Sequence, residues 1–358
     1  MKYNIEVKRK ENSYISKVDF SDLGFGKVFS DHMFVADYED GEWTSMKIEP
    51  FKYIPMHPAM SSIHYGQSIF EGMKARKNDK GEIIIFRPDM NVKRMNRSAI
   101  RMAMPTIPEE LFMQAMDELI QLDENWIPSA DGTSLYIRPF LFATDEFIGI
   151  RRSNKYKFMI ITSPVGAYYD KPVSVYASDD YVRAFPGGTG FAKTAGNYAR
   201  TIQPVEEIHK KGYDQILWLD GIEKKYLQEI GTMNLFVQID GKILTPSLEE
   251  DTILHGVTRD SVLHLLKEWG IPHEERKISI DEIIEAANNG KLEDAFGAGT
   301  AATISFISSI GYHGEDYKLP AVADRKISNR LKEKLIAIKD GKDDNQYNWL
   351  HTLAVQTA

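Results

Sequence analysis

Gly187-Gly188-Thr189-Gly190-Phe191-Ala192-Lys193-Thr194-Ala195-Gly196-Asn197-Tyr198-Ala199-Arg200 is the stretch around which the chain is organised. Four glycines surround one lysine, and a tyrosine follows five residues on, where a helical pattern begins. Glycine admits backbone conformations and close approaches that a Cβ forbids. Lysine bonds covalently to a carbonyl when its amine is desolvated or set beside another cation. A solvated lysine in a flexible loop is the ordinary alternative, so the rest of the chain must decide.

With 358 residues the chain exceeds one comfortable core, and two domains are expected. Hydrophobic residues at 42% and charged residues at 27% are those of a globular protein. A net charge of −8 argues against nucleic acid as a partner. No cysteine is present, which excludes disulfides, thiol nucleophiles and thiolate metal sites. The polar start, Met1 to Glu11, is unlike a signal peptide, and no apolar run approaches membrane-spanning length, so a cytoplasmic location is expected.

Working outward, Phe34 to Tyr38 alternates like a strand before the turn signal Asp40-Gly41. Ser62 to Lys77 reads as strand-like and aromatic, and Glu82 to Phe86 as a buried strand ending in Arg87. Pro88 opens a helix to about Met104. Leu111, Phe112, Ala115, Met116, Leu119 and Ile120 make one apolar helical face. Ser134 to Phe142 and Tyr156 to Thr162 read as strands. The composition changes at Pro164 to Pro172, which sets a small N-terminal domain over residues 1–166, a linker over 167–174 and a larger domain over 175–358 carrying Lys193.

In the second domain Asn197 to Lys211 reads as a helix that Pro204 should kink. Two hairpins follow, turning at Asp220-Gly221 and Asp240-Gly241. Val262 to Trp269 is amphipathic, and Ser279 with Glu282 forms a capping-box pattern ahead of Ile283 to Asn289. The sum is a mixed α/β (α+β) chain with largely antiparallel sheets.

A pyridoxal phosphate site needs a lysine for the aldehyde, a partner for the pyridine nitrogen, a phosphate cradle and a handle on the phenolic oxygen. Lys193 meets the first need. Glu229, at a strand end before Gly231-Thr232, suits the second, with an exposed strand residue as the plain alternative. Leu254 to Asp260 leads into a helix with Gly256 where an anion would approach, although Thr258 as an ordinary N-cap fits equally. Arg87 could supply positive charge, and the Gly297 to Thr300 loop further amides and a hydroxyl.

Gly187 to Thr194 is also one residue away from a nucleotide P-loop, with Ala192 where glycine belongs. Two features oppose that alternative. Arg183-Ala184-Phe185-Pro186, not a buried strand, precedes the loop, and Asp220 opens a turn and is expected at a solvent-facing tip. The histidines show no metal-ligand spacing, so no metal is expected.

From about Phe25 to Gly341 the chain resembles the branched-chain-amino-acid aminotransferases of the fold-type IV pyridoxal phosphate enzymes. The resemblance is carried by Phe70-Glu71-Gly72-Met73-Lys74-Ala75, Gly132 to Pro139, Gly190 to Tyr198, Glu229 to Phe236 and Gly297 to Ala301. It implies Lys193 as the Schiff-base lysine, Tyr198 as donor to the phenolic oxygen and Glu229 at the pyridine nitrogen. Arg87, the amides of Val257 and Thr258, and Thr300 would hold phosphate. Thr232 and the backbone at Ala301, with Tyr65, would take the substrate carboxylate, and Phe25, Tyr65, Phe70, Tyr136 and Ile150 would line the side-chain pocket. Tyr136, Arg138 and Ile150 would come from a neighbouring subunit, which implies a homodimer.

The resemblance further implies ping-pong transamination of leucine, isoleucine and valine with 2-oxoglutarate, Arg138 and Tyr136 meeting the distal carboxylate. A cysteine pair found in some relatives is replaced by Ala302 and Ser305, so thiol regulation is not expected. A D-amino-acid aminotransferase or lyase of the same fold stays open, as does a P-loop-like nucleotide-binding protein.

Overall fold

A computed structural model describes residues 2–166 and 171–354. In chain order the first strands are β1 (Glu6–Val7), β2 (His32–Glu39) and β3 (Glu42–Pro50), followed by helix α1 (Ser61–Tyr65). Then come β4 (Ser68–Phe70), β5 (Met73–Lys77), β6 (Ile83–Phe86), α2 (Pro88–Arg101), α3 (Glu109–Leu122), β7 (Ser134–Ala143) and β8 (Tyr156–Val165). The next run is β9 (Val173–Ser178), α4 (Ala195–Ala199), α5 (Ile202–Lys210), β10 (Gln215–Leu219), β11 (Leu227–Ile230), β12 (Met233–Ile239) and β13 (Lys242–Thr245). Last are α6 (Val257–Glu268), β14 (His273–Glu275), α7 (Ile280–Asn288), β15 (Leu292–Gly299), β16 (Thr303–Tyr312), β17 (Glu315–Lys318), α8 (Lys326–Lys339) and β18 (Leu350–Leu353).

The chain forms two compact units. Met1–Tyr168, Ala192–Ala195 and Ala337–Ala358 make the first; Tyr169–Phe191 and Gly196–Ile336 make the second. The division corrects the sequence expectation twice. Lys193 is built into the first unit, as is the segment after Ile336. Of the expected linker, residues 167–170 lie outside the described residues, while Val173 and Ser174 already belong to β9.

The first unit is a sheet of order β1-β3-β2-β8-β7-β5-β6-β18, with β4 paired to β7. The buried faces of α2 and α3 pack on it through Val92, Met95, Leu111, Phe112 and Leu119, against Phe34, Ile137 and Phe158. Pro88 starts α2, since a first-turn residue needs no N–H partner. Asn91, Arg94 and Ser98 are buried on α2 alongside Val92, Met95 and Ala99. The i, i+3, i+7 spacing puts these three polar groups in one seam on the helix.

Aromatic composition made Ser62 to Tyr65 read as strand, but these residues lie in α1, which ends at left-handed Gly66. Around Arg200 the helical signal is interrupted. Here α4 and α5 are separate, and Pro204 falls in the first turn of α5, where it costs no hydrogen bond, so it does not kink the helix.

In the second unit the strand order is β11-β10-β9-β16-β15-β12-β13-β14, and β11 also pairs with β12. That extra pairing closes six strands into a ring around Val175, Leu217, Leu235, Val237 and Ile307. Pairing is mostly antiparallel, with β9 parallel to β10 and β16, and β13 parallel to β14. Ser279 Oγ accepts from Glu282 N–H at 3.1 Å, one half of the expected capping box, while the Glu282 carboxylate instead meets Arg276. Asp220 is buried, not at a solvent-facing tip. Its carboxylate accepts the N–H groups of Ile222, Glu223, Lys225 and Tyr226. Burial alone would raise its carboxyl pKa, but those four donors bring it below the ordinary value.

Candidate active site

Lys193 is held by its backbone on both sides. Its N–H donates to Ser98 Oγ at 2.8 Å, and its carbonyl accepts from Phe70 N–H at 3.0 Å. Thr194 bridges Ile69 in antiparallel fashion and donates its hydroxyl to Ser68 O at 2.8 Å. The loop therefore runs as a short extra strand along β4, leaving the Lys193 amine half-buried 4.9 Å from the Phe70 ring centroid.

Beside Phe70, Glu71 is 0% exposed. Its oxygens accept from Arg94 Nε at 2.7 Å, Arg94 Nη2 at 2.8 Å and Asn91 Nδ2 at 2.8 Å. Burial would raise the Glu71 pKa. The Arg94 guanidinium, with Lys193 and Asn91, outweighs it and holds the carboxyl below its ordinary value. Ser98 donates to the Arg94 carbonyl at 3.1 Å while accepting from the Lys193 backbone N–H, which ties the lysine segment to α2.

Arg87 and Arg94 stand in different surroundings in the first unit. Arg87 stacks on Trp349, its guanidinium carbon 4.9 Å from the ring, and its N–H donates to Trp349 O. The Arg94 guanidinium is instead buried against Glu71, whose carboxylate also feels the Lys193 charge. A polar residue on the apolar face of α2 was the available sequence signal.

Phe25, Phe70, Tyr136 and Arg138 come together in the same unit. Arg138 Nη2 donates to Tyr136 Oη at 2.9 Å, and the guanidinium lies 4.6 Å over the Phe70 ring. Phe25 meets the Tyr136 ring edge-on at 4.9 Å. Within this chain Tyr136 and Arg138 therefore stand beside Phe70. Two residues apart on β7, they share a sheet face, and β4 and β5 of the same chain flank that strand. Tyr65 and Ile150 stand apart on the chain surface, Ile150 at 93% exposure.

The second unit carries the other assigned groups. Glu229, 3% exposed, pairs across strands with Asn234. It meets Arg183 Nη2 at 2.9 Å and accepts from Asn234 Nδ2 at 3.1 Å and Leu254 N–H at 3.3 Å. The same Arg183 nitrogen donates to Gly190 O and Thr252 O, fastening the glycine-rich loop. Gly190 has no room for a side chain, since a Cβ would overlap Thr252 O. Thr189 and Asn197 bond to each other at both ends, fixing the loop to α4 and placing Tyr198 half-buried on it.

Gly256 is the N-cap of α6, and no side chain caps that helix. The first-turn amides of Val257 and Thr258 have no intrahelical acceptor, and the helix dipole favours an anion there. A Cβ at Gly256 would overlap Asn234 Oδ1, and Asn234 also donates to Leu254 O at 2.9 Å. Asn234, unassigned from sequence, thus ties Glu229 to the approach of α6. The turns holding Thr232 and Thr300-Ala301 are neighbours at one end of the β12–β15 pair, where Asn234 faces Ala298.

These groups fit pyridoxal phosphate. An amine for the aldehyde and the Arg87 guanidinium lie in the first unit. A buried carboxylate braced by Arg183 and an uncapped helix start lie in the second. The P-loop alternative fails, because β9 ends nine residues before Gly187 and a five-residue helix follows. Among the described residues no group of three or more His, Asp or Glu could hold a metal ion, and no helix is long and apolar enough to cross a membrane.

The family model for amino-transferase class IV matches residues 68–310. Branched-chain-amino-acid transaminase 1 of Bacillus subtilis (strain 168) is 48% identical over 344 residues, covering 94% of this chain and 96% of that protein. The crystal structure of a branched-chain aminotransferase from Thermoproteus uzoniensis with norvaline aligns at a TM-score of 0.74 and 25% identity, over 90% of this chain and 99% of that one. The T.th. branched-chain amino acid aminotransferase with pyridoxamine 5'-phosphate aligns at 0.72 and 25% identity, over 88% and 97%. The fold is accordingly that of the fold-type IV enzymes. Lysine loop, buried carboxylate and uncapped helix agree with that kinship, and the chain belongs to the class IV amino-transferases.

Proposed function

We propose that this protein transfers amino groups reversibly between leucine, isoleucine or valine and 2-oxoglutarate, in two half-reactions of a ping-pong cycle. Pyridoxal 5'-phosphate, when bound, supplies an aldehyde for the incoming amine and a ring that absorbs the electrons released at Cα. Lys193 Nζ would hold the cofactor, and the same amine is the base that would take a proton from the substrate's Cα and return it. Glu229, braced by Arg183 and Asn234, holds a proton on the ring nitrogen. Tyr198 donates to the phenolic oxygen. Arg87, the Val257 and Thr258 amides and Thr300 would hold the phosphate.

Thr232, the Ala301 backbone and Tyr65 take the substrate carboxylate. Phe25, Phe70 and Tyr136 receive aliphatic side chains, and Arg138 meets the distal carboxylate of glutamate. The working form is a cytoplasmic homodimer in which Ile150 reaches the partner's site. The observation that carries this proposal is the clamped Lys193 segment, with its amine over the Phe70 ring and its charge felt by buried Glu71. Borohydride reduction followed by peptide mass analysis should find a pyridoxyl group on Lys193, and Lys193→Ala should lose both the adduct and leucine transamination. An adduct elsewhere, or full activity without Lys193, would disprove it.

A further inference from the structure

Gly72 is not required by its backbone, which lies outside the left-handed region. Its reason is steric. A Cβ there would overlap Tyr136 Oη, and the next nearest atoms, Cζ at 3.0 Å and Cε2 at 3.3 Å, belong to the same tyrosine. Tyr136 Oη in turn accepts from Arg138 Nη2, and Arg138 lies over the ring that touches the Lys193 amine. The missing side chain at 72 therefore decides where the phenol sits, and the phenol decides where the guanidinium sits. Arg138 also has a buried Nε–H with no hydrogen-bond partner among the described residues. A buried donor is costly to leave unmet, and a carboxylate matches the guanidinium fork.

We propose that Gly72 is a positioning residue for substrate choice: by admitting the Tyr136 phenol it holds Arg138 where a dicarboxylate's far end arrives. Aliphatic substrates make no bond to that guanidinium, so the position separates the two substrate classes. The inference rests on the amino-transfer function proposed above.

The test compares cofactor-loaded wild type, Gly72→Ala, Tyr136→Phe and the double variant. Single-turnover rates with glutamate and with leucine are measured, together with calorimetric binding of the unreactive glutarate and 4-methylvalerate. In Gly72→Ala the glutamate-to-leucine ratio of kcat/KM should fall roughly 10- to 100-fold, the range for a lost bond to a charged group, and glutarate should weaken relative to 4-methylvalerate. In the Tyr136→Phe background, where the overlapped oxygen is gone, the same alanine should change the ratio by less than about threefold.

Equal losses for both substrates, an unchanged ratio, or an undiminished alanine effect without the phenol oxygen would overturn the inference. Should Gly72→Ala fail to fold, Tyr136→Phe decides: it must lower the ratio at least about fivefold, because it removes the acceptor that orients Arg138. A wild type inert to glutamate would instead refute the proposed function, and the glutarate measurement would still judge the role of Gly72.

Discussion

Arg94→Met would leave Glu71 as a fully buried carboxylate facing only Asn91, the Gly72 N–H and the charge of Lys193. The two guanidinium bonds of 2.7 and 2.8 Å would be gone. Breaking one side of a buried ion pair costs about 3–5 kcal/mol. In a domain of this size each kcal/mol moves Tm by about 2–4 °C, so calorimetry of the cofactor-free protein should show a fall of roughly 6–20 °C. Removing both charges, as Glu71→Leu with Arg94→Met, should restore most of it.

The pH dependence supplies a second check. In the wild type Glu71 lies below its ordinary range, so its contribution is complete above the unfolded value of about 4.3 and fades as pH falls through the folded one. Without Arg94, burial dominates and raises the carboxyl. The folded state then binds the extra proton, and the variant should gain stability on wild type between pH 7 and pH 5. A Tm loss under 2 °C, or a gap that does not narrow with acid, would refute the assignment of Glu71 and Arg94 as a buried, mutually dependent pair.

Lys74, pushed down to about 8 by burial and then by Arg76, should reach half its maximal rate of acetylation by acetic anhydride near pH 8, well below surface lysines. Peptide mass analysis across a pH series reads this directly, and a midpoint shared with exposed lysines would contradict it. Gly256→Ala introduces a Cβ that overlaps Asn234 Oδ1 at an unstrained φ of −70°. Displacing Asn234 from Glu229 and Leu254 O should weaken pyridoxal phosphate binding by roughly 5- to 100-fold in equilibrium dialysis, and unchanged affinity would show that Asn234 does not organise the cradle.

The lysine loop was legible because glycines at a close approach and a reactive side chain are both local signals, and Gly190 is indeed packed against Thr252 O. The same holds for Ser279 as a helix cap and for β12 and β13 around Asp240-Gly241. What escaped depends on partners distant in sequence. Nothing local to Arg94 announces that Glu71, on another element, will take its guanidinium inside the core. The burial of Asp220 was missed because a turn signal does not reveal that one carboxylate will collect four amides. Residues 337–358 were given to the wrong unit because a strand's neighbour is a fact of topology, not of its own composition.

That last strand sets a schedule for synthesis. β6 is Ile83-Ile84-Ile85-Phe86, and one of its two edges is covered only by Leu350–Leu353. At roughly 5–20 residues per second, the ribosome needs on the order of 15–50 s to make the intervening chain. Throughout that interval an aliphatic edge of high sheet-forming tendency stands open beside other nascent chains. Yield of active protein should thus respond to holdase chaperones and translation speed more than its finished stability would suggest.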